Sequence, residues 1–423
     1  MQNLEKSKKI SANKLHASAL GYAISFLFLV GLIGTGVLFI SAANKRLEFH
    51  YALKEHILVD NYIALQIGAG MDASKTKTIV HVAGDTSQIT VKNWGMFQMV
   101  IAKTYHKNIH QISTALVGVS ITKELPALYI PENNQVLRLA GDTKLEGIVS
   151  VSERGVDRAN LAGRSYINQQ LIYGKLTTSG RYLPKLKPIY QNVGYADFIP
   201  TTHKTERIHI DSVYSFDTLT SLYSSMEPIF LQNNIEGNII IHSFDSIVVS
   251  SNARLTNVLL IAPKVRFEKN AKSNVQVIAS KSIVCEEGVR LSYPSILLLN
   301  EQNAEVTGSN HQVLLQANSQ VLGGILMVSQ NSNFRKPMQL KISPNALVAG
   351  LVYTTGESEI RGSVIGHLYT NALRLFSGGS DNMHHLLDCT ISSKKLPPYF
   401  LMPNWLEEVD RGKQKIIARY SNG

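Results

Sequence analysis

The hydrophobic pattern divides the chain into two textures. Residues 20–43, LGYAISFLFLVGLIGTGVLFISAA, carry no charge and no proline. About 20 such residues are what one helix needs to cross a bilayer. Beyond them Leu47, Tyr51, Lys54, Leu58, Tyr62 and Leu65 recur at steps of three and four up to the Gly68-Ala69-Gly70 breaker. The spacing predicts one helix over 20–67, half apolar and half amphipathic. Strand-like pieces follow: TIVHVAG (78–84), ITVKNWGMFQMVIAKTYH (89–106, broken at Gly95) and STALVGVSI (113–121). They predict a small antiparallel sheet, packed with the helix in a membrane-proximal module over 68–135.

From about Val136 short apolar runs alternate with turns rich in Asn, Gly and Ser. Four units can be stacked so that Ile240, Leu260, Ile278 and Leu298 occupy equivalent places, at steps of 20, 18 and 20 residues. A period near 20 with short strands and no helical signal predicts a β-solenoid over 136–375, read as a right-handed β-helix. The competing architecture is a sandwich or barrel with regular strands. In the solenoid Val, Ile and Leu point inward, Lys, Glu, Asn and Ser point out, and Asn and Gly take corners with left-handed backbone angles. The stretch 176–235, with Pro184, Pro188, Pro200 and Pro228, reads as an excursion that crosses or covers one face. Within it FDTLTSLYSSM (216–226) is expected to be a short helix. Residues 376–423, containing LPPYFLMPNWLEEV, are too proline-rich for a regular rung and read as a cap. The expected fold is thus mainly β, with one N-terminal transmembrane helix and its amphipathic extension.

Charge orients this arrangement. Lys6, Lys8, Lys9 and Lys14 lie in the tail 1–19, against Lys45, Arg46 and Lys54 after the apolar run, which favours a cytoplasmic N-terminus. A cleaved secretory signal, with Ser41-Ala42-Ala43 as its site, is the alternative, but the apolar run exceeds the usual signal core of about 7–15 residues. Either way the body is exported. The chain of 423 residues has a net charge of +11, with basic residues scattered among polar ones and no nucleic-acid motif. Membrane lipid is therefore an expected partner, an anionic polysaccharide is a candidate ligand, and nucleic acid is not expected. Cys285 and Cys389 make no disulfide framework.

An active site requires convergent groups. Asp245, Glu268, Glu286, Glu287, Glu301 and Glu305 do not recur at one phase of the repeat, and Arg254, Arg266 and Arg290 lie near rung ends. His384, His385 and Asp388 are the most metal-like local cluster, yet neighbouring histidines diverge on a strand or a helix. Trp94 and Trp405 are candidates for sugar platforms, with buried packing the more common role. HExxH, CxxC, Walker, GxSxG and strand-linked GxGxxG patterns are absent. No catalytic residue, metal ligand or cofactor is expected.

ALGYAISFLFLVGLIGTGVLF with its amphipathic continuation resembles the N-terminal helix of type IV pilins and pseudopilins, especially large minor subunits. The resemblance covers roughly residues 14–120. It implies prepilin-type cleavage between Gly21 and Tyr22, with Tyr22 the first mature residue. The family's acidic residue at mature position five falls on Phe26. Gly31, Gly34 and Gly36 would then permit close helix packing. The repeats at 236–328 resemble the polymer-forming solenoid of bactofilins. Both resemblances imply a non-enzymatic, anchored envelope protein of the bacterial inner membrane, with a periplasmic or surface-exposed body and partners engaged through the helix and the solenoid, or by self-assembly. An anchored carbohydrate-binding or polysaccharide-degrading β-helix is the rival.

Overall fold

The computed structural model describes residues 5–82, 84–120, 124–191, 194, 196–205, 212–301, 311–329, 337–407 and 414–421. A single helix, α1 (Glu5–Ala69), carries the apolar run and continues beyond it without a break. Residues 19–52 are exposed throughout, whereas Ile57, Asn61, Ala64, Leu65, Gly68 and Ala69 are buried. The docked face is therefore not the expected stripe: Leu47, Tyr51, Leu58 and Tyr62 stay exposed, and of that set only Leu65 is buried. Close approach decides which face docks. A Cβ at Gly68 would sit 2.3 Å from Val100 Cγ1 and 2.8 Å from Ile89 Cγ2, so the helix lies against the sheet where its side chains are small.

The sheet is an antiparallel meander of β1 (Thr76–Val80), β2 (Thr86–Trp94), β3 (Phe97–His106) and β4 (Ile109–Ser120). The expected break at Gly95 is the β2–β3 turn, with φ +58°. Two pieces from the far end of the chain, Leu401–Met402 and Gln414–Ser421, pair antiparallel with β4. Residues expected only to cap the body thus complete the antiparallel sheet.

The rest of the chain is dominated by parallel pairing. Strands Arg254–Phe267, Lys272–Cys285, Arg290–Glu301, Gln320–Ser329, Leu347–Ile360 and Ser363–Ser377 stack in that order. Ile278 and Leu298 are register partners as expected, but Ile240 pairs with Leu259, and Leu260 with Val277. The observed register is offset by one residue from the expected repeat there, which exchanges the two faces of a strand. The expected helix at 216–226 is instead a turn followed by strand Ser221–Ser225, which pairs with Ile239–Ser243. Asn238 explains the turn: its amide donates to the carbonyls of Ser215 and Thr218, tying the corner to the next strand. Parallel stacking also takes in Ile229–Leu231, so much of 216–235 belongs to the stack.

Stacking does not follow chain order. Ser363–Ser377 pairs with Leu128–Tyr129, which pairs with Lys144–Val151, which pairs with Tyr173–Thr178. Residues from the start of the body therefore lie beyond the strands that come last. After Thr178 the chain returns across the outside of the stack to reach Lys204–Thr205, which pairs with Ser221–Leu222. Corners obey the expected backbone rule, with left-handed Asn270, Gly288, Asn318 and Asn345. Gly323, Gly350 and Gly366 form a second column, each placed so that a Cβ would be 2.0 Å from a carbonyl oxygen of the neighbouring strand.

Three apolar layers result. Leu260, Val277, Leu297, Ile325 and Val352 fill the interior of the stack. Leu259, Ile261, Ile278, Leu298, Leu326 and Tyr353 face outward, yet they are buried against Trp94, Phe97, Leu116, Leu186 and Trp405. This explains runs such as VLLIA and SILLL, where both faces of a strand are covered and alternation disappears. The opposite face of the meander packs Ile89, Val91, Val100, Ala102, Ala115 and Val117 against Ala64 and Leu65. Gly350→Ala should destabilise the stack by about 1–3 kcal/mol, since its φ of +130° and the blocking carbonyl of Gly323 act together. Urea unfolding of the purified chain checks this. Gly84→Ala, with positive φ but nothing within 4 Å, should cost clearly less.

Candidate functional site

Helix α1 joins two environments. Its described outer part presents Leu20, Tyr22, Phe26, Phe28, Leu38 and Phe39, each at least 65% exposed among the described residues. The span Ala19–Ala69 is long and apolar enough to cross a membrane. Two of its hydroxyls are satisfied within the helix: Ser25 donates to the Gly21 carbonyl and Thr35 to that of Gly31, both at 2.9 Å. Gly21, Gly31, Gly34 and Gly36 have no atom within 4 Å of a Cβ built on them, so all four face open surroundings. At about 100° per residue Gly31 and Gly34 lie one turn apart on one side, while Gly36 points elsewhere.

The inner part is fixed to the sheet by a polar clip that the sequence pattern did not reveal. The Asn61 amide, buried at 2% exposure, donates to the carbonyls of Ala102 (3.0 Å) and Gln111 (3.2 Å) and to Thr104 Oγ1 (3.1 Å). Beside it, the turn between β1 and β2 brings in His81 and Asp85. His81 Nδ1 lies 3.4 Å from Asp60 Oδ1 on the helix, and its Nε2 lies 2.7 Å from Ser87 Oγ. His106 Nδ1 donates to Asp85 Oδ1 at 2.5 Å, while the fully buried Asp85 Oδ2 receives no donor from any described group. Burial raises the Asp60 carboxyl above its ordinary range; His81 opposes this, and contact with the Asp85 carboxyl reinforces it. The sequence signal for this cluster was an acidic residue, Asp60, directly beside a docked one.

A second clip joins the meander to the stack. Gln276, inside the apolar run VQVIA, accepts from Met96 N–H at 2.6 Å and donates to the Trp94 carbonyl at 3.1 Å. On the outside of the stack Lys272 and Arg290 are register partners, both exposed, beside a cleft of 360 Å³ that also includes Asn270, Glu287, Gly288 and Asn318. Glu287 is already paired with Lys269 at 2.7 Å.

The other residues singled out by sequence do not converge. Glu286 pairs with Arg266, Glu301 lies 3.2 Å from His311, and Asp245 accepts from Ser246 at 2.9 Å; Glu305 lies outside the described residues. His384 contacts Asn133, His385 donates to the Met383 carbonyl, and Asp388 pairs with Arg164. Among the described residues no group of three or more His, Cys, Asp or Glu side chains is arranged to hold a metal. Trp94 and Trp405 are buried at 3% and 0% and cannot act as sugar platforms. Cys285 and Cys389 are buried and free, and burial pushes the Cys389 thiol up to about 12.

No protein-family model matches the chain, and no curated protein matches it. Among solved structures, a competence-associated pilin, ComZ from Thermus thermophilus, aligns over 89% of this chain and 96% of its own, with 9% identity and a TM-score of 0.24. At that level neither fold nor role transfers.

Asn61→Leu should leave the Ala102 and Gln111 carbonyls short of a donor and cost about 1–3 kcal/mol. Faster hydrogen exchange in residues 57–69 and along β3, with the stack unchanged, is the expected readout.

Proposed function

We propose that the protein is a non-enzymatic, single-pass structural subunit of an envelope assembly, of the minor pilin-like or pseudopilin-like kind. The observation that carries this reading is the division of α1: residues 19–52 are bare and largely apolar, while the following turns are docked on a meander. An apolar helix held out from a folded body requires lipid, or the helices of other subunits, to cover it. The N-terminus lies in the cytoplasm, the helix spans the bacterial inner membrane, and the body is periplasmic or surface-exposed. The parallel stack acts as a stiff β-solenoid, right-handed and comparable in rung length to that of bactofilins. Recurrent pairing of Leu260, Val277 and Leu297, continued by Ile325, Val352 and Leu368, supports that architecture.

N-terminal sequencing of native protein extracted from membranes tests the subunit reading. A chain beginning at Tyr22 supports prepilin-type processing, whereas an intact Met1 assigns a plain anchor and removes the pilin-like role. Independently, Gly31→Leu with Gly34→Leu should reduce co-isolation with membrane partners at least several-fold; unchanged recovery counts against helix packing through that side.

A second reading is favoured by the adjacent Lys272 and Arg290: the body binds an acidic polysaccharide along this row without cleaving it. The spacing of neighbouring strands, about 4.8 Å, sets these charges close to a sugar-by-sugar repeat. Lys272→Glu with Arg290→Glu should weaken binding to a polyuronate by more than tenfold at low salt. Equal binding by both proteins would remove this reading.

A further inference from the structure

Where the meander, the returning segment and the C-terminal stretch meet, packing leaves a cavity of 130 Å³. Stretches far apart in sequence wall it. The start of β3 supplies Phe97 and Gln98, β4 supplies Val119, the returning segment Tyr190, and the C-terminal part Asn404 and Gln414. Backbone pairing fixes this frame. Lys187 N–H donates to the Trp405 carbonyl at 2.7 Å, Glu407 N–H to the Lys185 carbonyl at 2.9 Å, and Leu186 bridges Leu406. A single helical turn, Pro188–Gln191, carries Tyr190 to the wall.

Folding leaves polar atoms in this wall unused, although buried polar groups are ordinarily paired. Asn404 Oδ1 is buried, and no described group donates to it. Trp405 is fully buried, and its indole N–H has no described acceptor. Both residues border a narrow void of 10 Å³ that shares Val119 and Pro403 with the cavity. Gln414 Nε2 donates to Gln98 Oε1 at 3.1 Å, so that pair leaves Gln98 Nε2 and Gln414 Oε1 for another group. The Tyr190 hydroxyl likewise makes no hydrogen bond with a described residue.

Size and chemistry define what fits. A cavity of about 150 Å³ holds a benzene ring, so this one has room for a single six-membered ring. A bare hydrocarbon ring would leave the buried polar atoms unpaired. Among the described residues no carboxylate lines the cavity, and its one charged side chain, Lys187, already has a partner. A cation gains nothing there. A ring bearing hydroxyls, each both donor and acceptor, answers the amides, the indole N–H and the phenol together. We propose that this junction is a binding site for one neutral pyranose. It is distinct from the charged row of Lys272 and Arg290, with which it shares no residue. A bound ring would also tie the C-terminal stretch to the meander.

The test uses the full chain in micelles of a detergent without a sugar headgroup. The probes are the methyl glycosides of glucose, galactose, mannose and N-acetylglucosamine. Ligand-efficiency limits place one pyranose at a Kd of about 1 mM, within reach of ligand-observed NMR. At least one probe should bind saturably at that level. Tyr190→Phe removes a single oxygen and should weaken binding about threefold to tenfold; Asn404→Leu should weaken it by more than about tenfold. Should Asn404→Leu fail to fold, Tyr190→Phe decides alone. Lys272→Glu with Arg290→Glu should bind the probe like the natural protein, so failure of the acidic-polysaccharide reading leaves this site standing. A trisaccharide ending in the same sugar separates the sources: its binding assigns a glycan end, and its exclusion assigns a free monosaccharide, either of which supports the site. No saturable binding of any glycoside up to about 20 mM overturns the proposal. So does binding that both cavity variants retain in full, or binding of phenol with no glycoside bound.

Discussion

Everything in this molecule depends on covering one apolar wall. The strands that run from Leu259 to Tyr353 are hydrophobic on both faces, so filling the interior of the stack leaves half of that surface unresolved. Trp94 and Phe97 from the meander, Leu186 from the returning segment and Trp405 from the C-terminal stretch close it together. At roughly 25 cal/mol per Å² of apolar area, this wall outweighs the few polar clips that set its alignment. The clips supply position: Gln276 fixes the β2–β3 turn, and the Tyr353 hydroxyl holds the Pro184 carbonyl at 3.0 Å.

That dependence makes the apolar N-terminal helix mechanically continuous with the stack. Helix, meander and stack form successive layers, with one face of the meander packed on Ala64 and Leu65 and the other on the wall. A load on the helix passes first through the contact centred on Gly68 and Asn61, and then through Trp94 and Gln276. The first contact is narrow and partly polar, with Asn61 and the Asp60–His81 pair. The second is broad and apolar. Adjustable behaviour therefore belongs at the helix, and rigidity at the stack.

Several features were legible because they follow from short-range physics. The uncharged run at 20–43 announces its helix, and Gly95 announces a turn between alternating strands. Asn and Gly at corners, such as Asn270 and Gly288, follow from left-handed backbone angles. Other features depend on contacts far apart in sequence. The helix stripe at Leu58 and Tyr62 looked like the docking face because hydrophobicity does not report how closely a sheet can approach; Ala64 and Gly68 do. The one-residue slip at Ile240 arose because both neighbours are apolar and both are buried. At 216–226 a helical spacing yielded to a corner tied by Asn238, a partner no local pattern could name. Asp60 and His81 meet only because the meander folds back on the helix.

The out-of-order stacking has a consequence for how such a chain comes into being. Leu128–Tyr129 and Lys144–Val151 emerge early in synthesis, but their neighbour on one side is Ser363–Ser377, made far later. Until that strand arrives, the early segment has an unpaired edge and cannot complete its layer. The last described strand, Gln414–Ser421, then closes the antiparallel sheet against β4. Contacts this distant in sequence make folding slow and late. A chain truncated before Ser363 would lack that strand and both C-terminal strands that pair with β4, leaving open edges on the stack and on the meander alike.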